Sequence, residues 1–336
     1  MVTVNWAAKA AFAILTGVLV MSSGAALAEN DPAKIVGPNA CAECHKYSTE
    51  VWKGTHHFST FTELPRNEKA RTIAEKMGVR RIKNESLCTT CHFTNQKEAE
   101  KTDAVAGISC ESCHSAGADW IKVHSSYSGK KKDTESPAEA KDRWAKSEAA
   151  GMIRPSNIYA LSKNCFSCHV VPQEKLVNDG GHPAGSAFEL VAWSQGEIRH
   201  NLWYSDGKEN RNASPDRQRI MFVVGAAVEL ETALRAVGKA TERKDYAVAM
   251  AQRAAAVRTK AGEIAKLLKD VPELAQIVAA AESAGLKLNN DAELSAAADK
   301  VGAATRKLAA SYDGSTFGAI DAMLPKAESY KGKPAR

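Results

Sequence analysis

All eight cysteines of this 336-residue chain fall between Cys41 and Cys168. They form four pairs, Cys41/Cys44, Cys88/Cys91, Cys110/Cys113 and Cys165/Cys168, and a histidine follows each pair at once: His45, His92, His114 and His169. In a C-x-x-C-H unit the first cysteine and the histidine stand four residues apart, which makes them neighbours on one face of a helical turn. Repeating the unit four times commits this half of the chain to short turns around bound groups. Little of it is left for a continuous apolar core.

The start of the chain narrows the chemistry. Lys9 precedes the apolar run AAFAILTGVLVM, and small residues lead to Ala26-Leu27-Ala28, the pattern of an export signal cleaved after Ala28. Residues 1–28 are therefore read as a signal peptide and the mature chain as periplasmic. No later stretch is long and apolar enough to span a bilayer. An exported protein could use its cysteines as disulfides, as zinc ligands or as redox dithiols. None of these uses requires a histidine after every pair, whereas C-x-x-C-H is the attachment signature of c-type haem. The two thiols add across the vinyl groups and the histidine reaches the iron. The expected cofactors are thus four covalently bound haem c groups, held by the eight cysteines, with His45, His92, His114 and His169 as proximal iron ligands.

Nine histidines are present, so five remain: His56, His57, His124, His182 and His200. Adjacent His56 and His57 are counted as one ligand, which leaves four distal candidates for four irons. Every histidine lies in the first 200 residues. Met77 and Met152 are read as packing, the commoner role of methionine.

The stretches CAECHKYSTEVWKGTHHF and GISCESCHSAGADWIKVH carry a resemblance to the tetrahaem cytochrome c-554 family that covers roughly Cys41 to Tyr204. The resemblance implies that His57 reaches the haem of the third motif, that His124 reaches back to the haem of the first, and that His200, in WSQGEIRHN, serves the fourth. It also implies a five-coordinate second iron. Here GGHPAGS supplies His182, which has no obvious counterpart in the family. His182 either caps the second haem or replaces His200 on the fourth, and a supply of ligands equal to demand favours a six-coordinate set.

The fold class expected is mainly α: a loop-rich tetrahaem domain over residues 29–205, then an antiparallel helical bundle over 206–336. Residues 66–83, RNEKARTIAEKMGVRRIK, read as a basic helix, and SSYSGKKKDTESPAEAKDR, from Ser125, as a charged exposed loop. After Asp206 there is no Cys, His or Trp. Ser214-Pro215 signals a helix start, and Ile220, Val223, Ala227, Leu230, Leu234 and Val237 mark one helical face. Three more helices follow, with Pro272 in the first turn of one. This half shows no chemistry of its own. It docks a partner, joins a second copy of the chain, or stabilises the haem half.

The formal net charge is +6, one unit of which is Lys9 of the signal. Haem propionates and ferric irons bring the oxidised holoprotein to about +1 and the reduced one to about −3. The basic sequence is therefore no sign of nucleic-acid binding. The function expected is electron transfer between redox partner proteins, with oxidoreductases, other cytochromes or a quinone-linked system as partners. The resemblance suggests nitrogen-oxidising enzymes among them. One alternative is an enzyme that acts on a small nitrogen or sulfur compound at an open haem. The other is a haem-bearing structural assembly.

Overall fold

A computed structural model describes residues 30–334; the signal peptide read in residues 1–28 lies outside them. The fold is mainly α, with one small sheet. No helix among the described residues is long and apolar enough to cross a membrane.

The four attachment motifs sit on or beside short helices. Cys41 lies in the Pro38–Ala42 helix and His45 caps the Lys46–Lys53 helix, with the His45 amide donating to the Cys41 carbonyl at 2.9 Å. The second and third motifs are carried by the helices Ser86–His92 and Cys110–His114, and the fourth ends the helix Ile158–His169. Between the second and third motifs the chain forms a hairpin. Its strands, β1 (Thr94–Glu98) and β2 (Lys101–Ala106), pair antiparallel with Glu98 opposite Lys101. The strands are mostly polar and lack the apolar alternation that marks a half-buried strand, so no period-2 signal announced them. The hairpin returns the chain to its start, where the Thr94 hydroxyl contacts the Gly107 carbonyl and Ser109 Oγ.

The charged stretch after Ser125 is also more ordered than a solvated loop. It contains the helix Pro137–Ala149, whose first turn is closed by a reciprocal Ser136/Glu139 capping box. Arg143 and Glu135 are buried as a bidentate pair, with both contacts at 2.7 Å.

Four long helices complete the chain: Pro215–Gly238, Asp245–Leu267, Pro272–Glu282 and Asp291–Ser311. Ser214 caps the first by accepting from the Arg217 amide, and Pro215 occupies its first turn. Short connectors reverse the chain each time, and neighbouring helices close into a bundle. The face marked by Ile220, Val223, Ala227, Leu230, Leu234 and Val237 is buried, and Phe222, Val224 and Val228 are buried as well. That wider burial arises because the first bundle helix also packs against Ile158–His169, the helix of the fourth motif. Ile158, Phe166, Leu190 and Val191 share one apolar cluster with Val224, Leu230 and Leu294. The core therefore crosses the change in composition near residue 206.

A polar lock sits inside this junction. Glu231, 1% exposed, accepts from the Tyr159 hydroxyl at 2.8 Å and pairs with Lys163 at 3.0 Å and Arg235 at 2.9 Å. Gly302 makes room for it, since a β-carbon there would stand 2.8 Å from Glu231 Oε2 and 2.9 Å from the Tyr159 hydroxyl.

Candidate haem-binding sites

Eight of the nine histidines meet in four pairs. His45 faces His124 with ring centroids 6.3 Å apart, His92 faces His182 at 6.1 Å, His114 faces His200 at 6.2 Å, and His57 faces His169 at 6.3 Å. Each pair joins the histidine of one C-x-x-C-H motif to one from outside the motifs. His56 is the histidine left over; its side chain is 84% exposed and its Nδ1 lies 2.7 Å from Glu197.

Two of the pairings expected from the family resemblance differ here. His57 was expected at the third motif and lies at the fourth, against His169; His200 was expected at the fourth and lies at the third, against His114. The cause is the folding of two loops. The Ile108 amide donates to the His57 carbonyl at 3.0 Å, and Gly107 permits that contact because a β-carbon there would collide with the same carbonyl. His57 thus comes beside the end of the hairpin with its ring turned toward the Ile158–His169 helix. His124 stands at the first motif and His182 at the second.

The cysteines are not equivalent either. The repeated motif treats Cys44 as the counterpart of Cys91, Cys113 and Cys168, yet Cys44 is exposed while the other seven cysteines are half-buried. The reason is that the first motif is split between two helices. The Pro38–Ala42 helix ends before Cys44, which lies in the turn ahead of Lys46–Lys53, whereas the second cysteine of every other motif is inside a helix. Cys44 therefore stands at the rim of the first site and is not enclosed as its counterparts are.

The pairs are built to present neutral imidazole. His114 Nδ1 lies 2.8 Å from the Ile153 carbonyl, and Nδ1 of His124, His182 and His200 each lie 2.7 Å from the carbonyls of Ile121, Pro183 and Ile198. A carbonyl accepts only, so Nδ1 carries the proton and Nε2 keeps its lone pair, the arrangement of a metal-ligating histidine. Burial, reinforced by the partner imidazole, holds His92 and His114 down to about 4. Burial and the nearby His57 do the same for His169.

The donor set fits haem. Two imidazoles holding one metal ion, with each nitrogen about 2 Å from the metal and about 1.1 Å from its ring centroid, bring the centroids to about 6.2 Å. All four pairs have that spacing. All eight cysteines are free of disulfides, and among the described residues no three His, Cys, Asp or Glu converge as a metal cage. That pattern suits two axial ligands per metal and does not suit zinc held by protein alone. Beside His124, the buried Nε1 of Trp120 has no acceptor among the described residues, and a haem carboxylate would supply one.

The motifs also contact one another. The thiols of Cys41 and Cys110 share a hydrogen bond, and those of Cys91 and Cys168 share another. Asn164 donates to the carbonyls of Ser112 and Cys113 and so ties the third motif to the helix of the fourth. In space the motifs run first, third, fourth, second.

Several residues that frame these pairs carry no sequence signal of their own. Glu111, inside the third motif and fully buried, accepts from the amides of Val36, Gly37 and Gly117 at 2.7–2.9 Å. Glu197 accepts from the His56 amide at 3.2 Å, and its own amide donates to the Lys331 carbonyl at 2.7 Å. Arg143 donates to the carbonyl of His124. Such roles depend on partners distant in sequence, so local spacing gave no hint of them.

Residues 40–115 match the family model described as cytochrome c554 and c-prime, a span that holds the first three C-x-x-C-H motifs. No curated protein and no solved structure matches the chain. Residues 40–115, less than half of the chain, are thus similar to that family, and the match supports covalently bound haem and electron transfer as the chemistry of this segment; a helical region follows it.

Proposed function

We propose that this protein is a periplasmic tetrahaem electron carrier in which each C-x-x-C-H motif attaches one haem. His45 and His124 hold the first iron, His92 and His182 the second, His114 and His200 the third, and His169 and His57 the fourth. Cys41 anchors the first haem on its inner side and Cys44 anchors it at the solvent edge. The single observation that supports this reading most strongly is the set of four imidazole pairs, each with centroids 6.1–6.3 Å apart.

Bound haem supplies reversible one-electron chemistry, with a potential set by axial ligands, hydrogen bonds and burial. The chain supplies orientation. Nδ1 contacts fix four of the rings, the closeness of Cys41 to Cys110 and of Cys91 to Cys168 keeps the first motif beside the third and the second beside the fourth, and Asn164 joins the two halves of the row. This order leaves the first and second motifs at the ends, where redox proteins would give and take electrons. Two protein imidazoles at every iron leave no open position for a small substrate, which favours a carrier over an enzyme.

Electron paramagnetic resonance of the oxidised holoprotein tests the reading. Four low-spin ferric centres and no spectral response to cyanide or nitric oxide are expected. A stoichiometric high-spin centre that binds either ligand would overturn the carrier assignment in favour of chemistry at an open haem.

A further inference from the structure

The net charge of this chain is concentrated in one place. Residues 66–83 contain seven cations against Glu68 and Glu75, a net +5, and the whole chain after residue 28 also carries +5, so everything outside this segment sums to zero. Arg66, Lys69, Arg71, Lys76, Arg80 and Arg81 are all exposed. None of the segment's seven cations forms an ion pair among the described residues, although eighteen ion pairs occur elsewhere, so this charge is left available. Like-charge crowding is visible in Lys83, whose pKa is lowered by burial and by Arg66 and whose Nζ sits 3.3 Å from the Phe61 ring centroid. Such repulsion destabilises the free protein and is relieved by an anionic partner.

The segment is placed where electrons would enter or leave. The Glu68–Lys76 helix packs on the loop of His182: a β-carbon on Gly180 would stand 3.1 Å from the Met77 side chain, and one on Gly181 would stand 3.7 Å from Lys76 Nζ. On its inner side, Ala74 and Ile82 form a small apolar cluster with Phe93, against which Cys88 of the second motif packs. Over the same cluster lies a concavity of about 660 Å³, lined by Arg71, Arg80, Arg81 and Lys83 against one carboxylate, Glu75, with Ala74 and Ile82 in its wall. The second motif is one end of the spatial order.

We infer that this face is the docking site for an acidic redox protein, which exchanges electrons at the second haem. The inference rests on the tetrahaem carrier reading and adds to it the surface and the chemistry of the partner. A carboxylate-rich protein surface suits it better than a lipid bilayer. Guanidinium groups pair with carboxylates in bidentate fashion, and the face is concave. It also offers no large exposed apolar side chain to enter a membrane: among the described residues the exposed ones are Tyr47, Phe58, Val105, Tyr204, Val248 and Leu267, all outside the segment.

The test uses the holoprotein and its R80E/R81E variant with two probes, poly-L-glutamate and phosphatidylglycerol vesicles. Wild type should bind poly-L-glutamate at low salt and lose affinity steeply as salt rises, while the variant should bind at least about tenfold more weakly. Carbodiimide coupling should join the polymer to Lys69 and Lys76. Equal affinity of wild type and variant for the polymer, or charge-dependent binding to the vesicles with none to the polymer, would overturn the docking assignment. The low-spin resonance signals of the same samples report separately on the haem ligands. A failed carrier reading would appear there even if polymer binding behaves as expected.

Discussion

His169 Nδ1 lies 2.6 Å from the hydroxyl of Ser186, whereas Nδ1 of His114, His124, His182 and His200 each face a backbone carbonyl. The bundle reaches this hydroxyl's residue. Arg253, on the second bundle helix, donates to the Ser186 carbonyl at 3.0 Å and pairs with Glu229 at 2.8 Å. Beyond its packing on the Ile158–His169 helix, the helical half thus reaches the fourth haem site through Ser186. A lost acceptor makes imidazole a poorer electron donor, so Ser186→Ala should raise the potential of the fourth haem. A contact of about 1 kcal/mol corresponds to a shift on the order of 40 mV for a one-electron couple. Spectroelectrochemical titration checks it: one of four potentials should move and three should stay.

The ring planes predict spectra. His114 and His200 lie at 84°, and His45 and His124 at 16°. Perpendicular imidazoles leave two iron d orbitals nearly degenerate and give a strongly anisotropic low-spin signal; parallel ones split them and give a rhombic signal. His200→Ala should remove an anisotropic component and His124→Ala a rhombic one. Loss of the same component in both variants would contradict the ligand assignment.

Glu231 should dominate the junction between the two halves. Glu231→Ala strands Lys163 and the Tyr159 hydroxyl, which Arg306 also contacts at 2.9 Å. Breaking a buried pair in this way costs about 3–5 kcal/mol, and here about 3 kcal/mol is expected because Arg235 retains Asp299. Thermal unfolding followed by circular dichroism should show one transition at lower temperature, since one apolar cluster spans both halves.

Acid should loosen the first haem site early. Glu139 is held down to about 2 by Lys130 first and then by the backbone amide and hydroxyl of Ser136, and Glu135 is kept below the usual range by Arg143. Carboxylates depressed in the folded state contribute stability that is present above the unfolded value of about 4.3 and lost as pH falls through the folded one. Between about pH 4 and pH 2 the segment around Arg143 should therefore relax, and with it the hydrogen bond to the His124 carbonyl. The low-spin signal assigned to His45 and His124 should fade in that window. Lys130→Gln should move the loss to higher pH.

Glu197 is expected to hold two distal ligands at once. It accepts from the His56 amide, next to His57, and it stands three residues before His200. Glu197→Ala should give partial high-spin character at the third and fourth irons while the first and second stay low-spin. A uniform change at all four would point to general unfolding instead.

The attachment motifs were legible because their spacing is local: cysteine and histidine on one turn need no knowledge of the rest of the chain. The bundle was legible for the same reason, since Ile220 through Val237 repeat at helical period. What sequence could not supply were contacts made across the fold. His57 and His200 stand at the fourth and third motifs, the reverse of the expectation from resemblance, because a hydrogen bond from Ile108 and the room left by Gly107 set where the His57 loop lies. Four identical spacings likewise hid the one open cysteine, Cys44, whose exposure follows from a helix that stops two residues before it. Glu231 carried no signal of its own; it is buried because a second partner, the Ile158–His169 helix, packs on the first bundle helix as well.

Lys331 donates to the Ala192 carbonyl and accepts from the Glu197 amide, so it closes the loop that leads to His200. Synthesis runs from the N-terminus, so all eight cysteines and all nine histidines are made before the residue that closes this loop. The clasp is thus the last piece of this loop to be made, and it fastens a histidine that precedes it by 131 residues.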